Sequence, residues 1–249
     1  MSSVPPARHA TKAVVVAAGE GTWLRPLTED KPEVLVGVTG TPLIGNVFED
    51  LIAVGIEEFA VGGGDRTEGI IERDGDAYRG VPITDAHQRE QRGLAHVLLG
   101  ANPLLRRTSR CCSGRPCFGR FWGQSWTDST LMGRTRRSPS RRYRWRRPRG
   151  TGCVNGDREI VEVVEDPDDP PSNLGMTGFY TFTPAIFQAC HPVQPSDRGE
   201  YELPDVIDLL IQSGRTIEAV EMESWHVDVG YSEDREQAEE LLVTEPMVR

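Results

Sequence analysis

The clearest chemical signal in the chain is a pair of glycines placed directly after an apolar run. Val14, Val15, Val16, Ala17 and Ala18 form a continuous, β-branched-rich stretch, the pattern of a parallel strand covered on both faces. It leads into Gly19-Glu-Gly-Thr-Trp-Leu-Arg-Pro-Leu-Thr28. Gly19 and Gly21 permit conformations and close approaches that a side chain forbids. A loop of this kind after a first strand commonly turns backbone N–H groups toward a phosphate. Such turns are common in α/β proteins, and most Gly-x-Gly pairs only tighten a bend. The chemistry it points to is the handling of a phosphorylated ligand.

The elements that would hold this loop follow an alternating grammar. Pro42 to Ile56 has helical spacing, with Leu43, Ile44, Val47, Leu51 and Ile52 on one face and Gly55 at its end. Glu57–Gly64 reads as a second strand, Arg66–Glu72 as a short helix, Val81–Gln88 as a third strand and Gly93–Leu105 as an amphipathic helix. After Val154 the same style returns. Arg158–Glu165 is a strand set up by a turn at Asn155-Gly156. Thr177–Phe182 and Thr216–Met222 are further strands, and Pro184–Cys190, Glu202–Ser213 and Glu233–Val243 are helices. Strand–helix alternation with short connections predicts a doubly wound, mainly parallel sheet. Met1–Thr11 is expected to be a loose leader, and residues 12–249 a single domain.

Composition narrows the class. The chain has 249 residues, a formal charge of −10 and a pI of about 5.1, which argues against a general nucleic-acid binder. Residues 101–150 hold fourteen arginines and one acid, Asp128. The −10 therefore divides into +13 over that stretch and −23 over the rest. Lys12 and Lys31 are the only lysines. Strong acidity with so little lysine resembles the proteomes of salt-adapted archaea. The five cysteines form no CxxC pair and no zinc spacing. No apolar run reaches membrane-spanning length and no signal-peptide core opens the chain, so a cytoplasmic setting is the default.

The run Gly19 to Thr28 resembles the signature loop of sugar-1-phosphate nucleotidyltransferases, Gly-x-Gly-Thr-Arg-Leu followed by Pro-Leu-Thr. The resemblance covers roughly Lys12–Leu105 and Gly152–Leu242 and is to the glucose-1-phosphate thymidylyl/uridylyltransferase type. Pro170 to Phe187, Arg198-Gly-Glu-Tyr-Glu202 and Asp228-Val-Gly-Tyr231 are similar to haloarchaeal UTP–glucose-1-phosphate uridylyltransferases. It implies a Rossmann-like three-layer α/β/α sandwich. It also implies that a sugar-1-phosphate, with glucose-1-phosphate the leading case, attacks UTP or dTTP and releases pyrophosphate, with Mg²⁺ held by two aspartates. Ala17, Gly19, Gly21 and Thr22 match the nucleotide loop, Gln88 and Gly93 the pyrimidine-reading pair, Glu165 and Gly178 the sugar contacts, and Asp228 the C-terminal metal ligand. Each has a plainer reading alone: Gln88 as a strand-end polar residue, Glu165 as a solvated terminus, Asp228 as a cap. Their joint order favours the site.

The charged machinery departs from the family pattern. Trp23 stands where the family has arginine, Glu33 where it has a lysine, and Asp166 where it has the lysine of Glu-Lys-Pro. A carboxylate in place of a lysine beside a phosphate costs on the order of several kcal/mol in a poorly solvated site. Arg25 remains as a catalytic candidate, and Lys31, two residues from Glu33 along an extended segment, is not expected to stand in for the lysine that Glu33 replaces. This copy is expected to be impaired. The rivals are a non-catalytic nucleotide- or sugar-binding pseudoenzyme, alone or paired with an active paralogue, and a pseudogene product.

Between Arg106 and Gly150 neither period two nor period 3.6 persists, in the stretch where the family carries Gly-Asp-Asn, the source of its first metal aspartate. Arg110 to Gly119 recodes in a neighbouring reading frame to Val-Leu-Leu-Gly, two small residues, then Val-Phe, similar to the family's apolar strand and Gly-Asp-Asn-Val-Phe. A frame shift, later restored, is therefore the leading reading, with 106–150 expected to be poorly ordered and to pair weakly in the sheet. An arginine-rich arm for anionic polymers and a solvated basic loop stand behind it.

Overall fold

The computed structural model describes residues 11–19, 21–64, 69–70, 75–88, 90, 92–104, 111–113, 117–119, 130–136, 150–155, 159–165, 168–169, 172, 174–221 and 226–244. Strands β1 (Lys12–Val16), β4 (Glu58–Gly63) and β6 (Val81–His87) lie side by side and parallel, in the order β1-β4-β6. Between the first two run the hairpin of β2 (Gly37–Val38) and β3 (Thr41–Pro42) and the helix α1 (Leu43–Ala53). The short β5 (Ala77–Tyr78) adds an antiparallel edge beside β6. Helix α2 (Leu94–Ala101) follows β6.

β1 shows why the sheet needs two covers. Its alternate residues Ala13, Val15 and Ala17 are buried against Ile44, Phe48 and Leu51 of α1, with Phe59, Val61 and Ile83. Val14 and Val16 are buried on the opposite face, against Ala95, Val97 and Leu98 of α2. A side-chain period of two divides one apolar run between two cores.

The second half is a mixed sheet. Strands β10 (Gly150–Val154), β11 (Ile160–Glu165), β12 (Leu174–Phe182), β9 (Thr130–Arg136) and β13 (Ile217–Glu221) lie in the order β11-β10-β12-β9-β13. β9 and β13 are parallel and the other ladders antiparallel. Helices α3 (Ala185–Cys190) and α4 (Leu203–Gln212) pack on it, and their Ile186, Phe187, Val206 and Ile207 share one core with Val14, Val16, Tyr180 and Phe182. That core joins the two sheets. The last helix, α5 (Ser232–Thr244), buries Ala238 and Leu241 against Val36, Val38 and Leu24. The expected Rossmann-like α/β class holds.

The arginine-rich stretch corrects one expectation. Its described backbone forms β7 (Cys111–Ser113), β8 (Cys117–Gly119) and β9, all in ladders despite the absent periodicity. Backbone hydrogen bonding needs no particular side-chain alternation, and neighbouring strands supply the template. β7 pairs with β12, and although it passes within 8 Å of β1, no ladder joins the two among the described residues. The expectation of poor order falls largely on residues 106–110, 114–116, 120–129 and 137–149, outside those described, as do the leader 1–10 and most of the predicted helix at Arg66–Glu72. Among the described residues no helix is long and apolar enough to cross a membrane.

Candidate functional site

The carboxyl ends of β1, β4 and β6 finish level, because Val16 pairs with Gly62 and Gly62 with Ala86. Ligands of open α/β sheets bind outside such strand ends. Ala17 N–H donates to the Gly62 carbonyl at 2.7 Å, and Gln88 N–H to the Gly63 carbonyl at 2.8 Å. The start of the glycine loop and Gln88 therefore flank the end of β4, about 10 Å apart by the usual strand spacing.

The loop is held from beneath. Gly21 has φ of 63°, and its carbonyl accepts from the buried Thr28 Oγ1 at 2.6 Å. Leu24 anchors the next turn in the core with Val36, Val227 and Val229, while Thr22, Trp23 and Arg25 remain exposed. Trp23 is 65% exposed, and its ring lies 5.6 Å from that of Tyr231. The loop is thereby tied to the segment that carries Asp228. Glu33 folds back onto the same loop. A Cβ on Gly19 would lie 2.7 Å from Glu33 Oε2, and one on Gly21 would lie 3.0 Å from Glu33 Cβ. The carboxylate thus rests against the glycines, where an incoming phosphate would meet a like charge.

The other flank is built on the neutral side chain of Gln88. Gln88 is only 4% exposed, and its Nε2 lies 2.7 Å from His96 Nδ1. Gln88 Oε1 is buried with no hydrogen-bond partner among the described residues. Gly93 has φ of 92°, and a Cβ there would sit 2.6 Å from the Tyr201 carbonyl oxygen and 2.8 Å from its nitrogen. Only glycine lets the strand-to-helix turn touch that backbone. Tyr201 N–H donates to the Arg92 carbonyl at 2.7 Å and its carbonyl accepts from Ala95 N–H at 3.1 Å. Its ring stacks on His96, with centroids 6.2 Å apart. His96 was not singled out from the sequence, and Tyr201 only as part of the Arg198–Glu202 segment. The available signal was a histidine in the first turn of the helix after Gln88, but no periodicity marks it.

The remaining predicted positions spread over the second sheet. Gly178, φ 77°, sits where the β12–β9 register shifts between Met176 and Tyr180, and its neighbour Phe179 packs on the core containing Ala17. Glu165 ends β11 opposite Gly150, its side chain outside the described set, and Asp166 lies outside the described residues altogether. Asp228 is exposed at the end of β14 (His226–Asp228) and pairs with Cys117 of β8.

That register bears on Mg²⁺. The chain entering β8 reads Ser113-Gly-Arg-Pro-Cys117, with no carboxylate to join Asp228. Among the described residues no group of three His, Cys, Asp or Glu side chains converges as a metal site. This donor set does not fit an Mg²⁺ ion held by two aspartates. Burial pushes the Cys190 thiol up to about 12, and partial burial with Glu162 beside it raises that of Cys153.

Comparison with known proteins identifies the family and the fold. A family model described as nucleotidyl transferase matches residues 12–116 and 132–245. The UTP–glucose-1-phosphate uridylyltransferase AglF of Haloferax volcanii is 49% identical over 240 residues, 94% of this chain and 97% of that protein. A glucose-1-phosphate thymidylyltransferase of Streptomyces antibioticus is 32% identical over 230 residues, 88% of this chain and 62% of that protein. Among solved structures, a Bacillus anthracis protein in complex with a sucrose superposes with a TM-score of 0.79 at 20% identity, covering 96% of this chain and 98% of that one. A UDP-glucose pyrophosphorylase complexed with UDP-glucose gives 0.75 at 19% identity, over 95% of this chain and 99% of that one. At these identities the structures speak for the fold.

Proposed function

The chain belongs to the nucleotidyl transferase family, and from that premise we propose that it is a sugar-1-phosphate nucleotidyltransferase of impaired activity. The reaction joins a sugar-1-phosphate, glucose-1-phosphate first among candidates, to UTP or dTTP. The sugar-phosphate oxygen bonds to the α-phosphorus, the bond to the oxygen bridging α- and β-phosphorus breaks, and pyrophosphate leaves with the electron pair. UTP stands ahead of dTTP because the uridylyltransferase relative shares more sequence than the thymidylyltransferase. A nucleoside triphosphate substrate supports a cytoplasmic setting.

The carrying observation is the pairing of the glycine loop with Gln88 across the end of β4. In this reading the residues from Ala17 to Thr22 lie along the triphosphate, Gln88 and Gly93 border the base, and Glu165 and Gly178 border the sugar. Phosphoryl-type transfer depends on positioning and on neutralising charge. Glu33 against Gly19, Trp23 in place of a cation, Asp166 in the place of a lysine, and Asp228 without a second aspartate all oppose the second requirement. Mg²⁺ supplies charge neutralisation in this chemistry, and the donor set among the described residues does not fit it.

Pyrophosphate release from UTP and glucose-1-phosphate is the deciding assay. Turnover near ordinary enzyme rates would refute impairment. The second reading, a nucleotide-binding pseudoenzyme, is favoured by the intact base side. It requires a melting temperature that rises with UTP while no product forms. The arginine-rich stretch 106–150 is read as frame-shifted on its recoding, while the family model matches 106–116 and 132–150 of it and leaves out 117–131. Sequencing the gene tests it, since one intact frame with clean flanking reads removes the sequencing-error version.

A further inference from the structure

We propose that His96 is a positioning residue that sets which way Gln88 presents its amide, so that the site accepts a base edge offering an N–H and rejects one offering a lone pair. This rests on the reading of the site as a pyrimidine-nucleotide site.

An amide nitrogen donates and does not accept. With Gln88 Nε2 at 2.7 Å from His96 Nδ1, the imidazole nitrogen is the acceptor, and the neutral ring carries its proton on Nε2. Fixing Nε2 in this way turns Oε1 in the other direction. There it is buried without a partner among the described residues, in a side chain 4% exposed. A glutamine serving only the core would have its carbonyl satisfied, because an orphaned buried acceptor destabilises the fold. Rotating the amide by half a turn would let Nδ1–H reach Oε1 but would leave both N–H groups of Nε2 without an acceptor. The observed arrangement leaves Oε1 to be met and one Nε2 N–H still to donate, the complement of a base edge that brings an N–H beside a carbonyl.

His96 is itself restrained. It lies in the first turn of α2 between the buried Ala95 and Val97, and its ring stacks on Tyr201. The Tyr201 backbone is bonded to Arg92 and Ala95 on either side of Gly93. The ring therefore cannot drift from Gln88 without breaking a turn that requires glycine. Uracil and thymine present N3–H between two carbonyls, which suits Oε1. Cytosine presents a bare N3 lone pair at the same point, facing another lone pair.

The test is calorimetric binding of UTP, dTTP and CTP to the full chain, as wild type, His96→Leu and His96→Gln. Wild type is expected to bind UTP and dTTP at least about tenfold more tightly than CTP, the effect of one matched hydrogen bond. His96→Leu removes the acceptor, and the preference should fall below about threefold. His96→Gln returns an acceptor oxygen and should restore most of it. Nitrogen NMR of the unliganded protein gives a second readout: His96 Nδ1 should be unprotonated, with the proton on Nε2. A His96→Leu variant that keeps the full preference, or a protonated Nδ1, overturns the proposal while leaving the pyrimidine site standing. Wild type that binds no pyrimidine nucleotide overturns both. If His96→Leu fails to fold, the tautomer and the His96→Gln preference still decide the matter.

Discussion

The two flanks of β4 make opposite use of similar backbone. On one side Gln88, His96, Gly93 and Tyr201 are tied together by hydrogen bonds and a ring contact, with Gln88 Oε1 left without a partner among the described residues. On the other, Gly19 and Gly21 follow β1, but Glu33 lies against them and Trp23 leans on Tyr231. Base recognition depends on shape and neutral hydrogen bonds anchored in the core, so it persists wherever the core persists. Phosphate recognition depends on the sign of a few side chains, which single substitutions reverse without disturbing any packing. A fold can therefore keep the first and lose the second.

The largest expected effect comes from reversing the charge at Glu33. Glu33→Lys should tighten UTP binding by about 100-fold at low salt, with the gain shrinking as ionic strength rises. Calorimetry at two salt concentrations checks this, and a change below about threefold would erase the contrast between the flanks. On the base side, Gly93→Ala forces a Cβ onto the Tyr201 backbone at a positive φ. It should cost about 2–3 kcal/mol in urea unfolding and abolish the preference for UTP over CTP. Unchanged unfolding would show that the turn does not require glycine. Trp23→Arg comes next, with about tenfold tighter UTP binding at the expense of the Tyr231 ring contact.

Asp50 on α1 supplies the smallest effect and a control for both flanks. Burial, with Glu49 beside it, raises its carboxyl to about 7. Between pH 4 and 7 the folded chain then holds a proton that the unfolded chain has released. Stability accordingly falls as pH rises through that window and stays lower above it. Asp50→Asn should therefore be stabilising above pH 7, by on the order of 1 kcal/mol, and neutral near pH 4. Thermal unfolding at the two pH values checks this. UTP affinity should not move, which separates gains in stability from gains in binding.

Much of this arrangement is readable in one dimension. Val14–Ala18 declares a two-sided strand, Glu202 and Ser213 bracket α4 as its caps, and the strand predicted from Val81 to Gln88 is observed as Val81–His87. The predicted helix at Gly93–Leu105 proves shorter, ending at Ala101, because Asn102–Leu104 forms a turn. The Arg106–Gly150 stretch reads as structureless, yet part of its backbone pairs, since ladders formed by neighbours do not need a side-chain period. Periodicity reports which face is buried. It is silent about partners in the chain that come from elsewhere.

The sequence by itself determined the strand–loop–helix order, the two faces of β1, the family pattern and the substitutions at Trp23, Glu33 and Asp166, because these follow from residue types and local spacing. Only the tertiary structure decided that Glu33 lies on Gly19, that Trp23 meets Tyr231 and that His96 takes one side of the Gln88 amide. Those contacts depend on how separate elements converge at the end of β4. Convergence is a property of packed cores and strand register, which no single segment encodes.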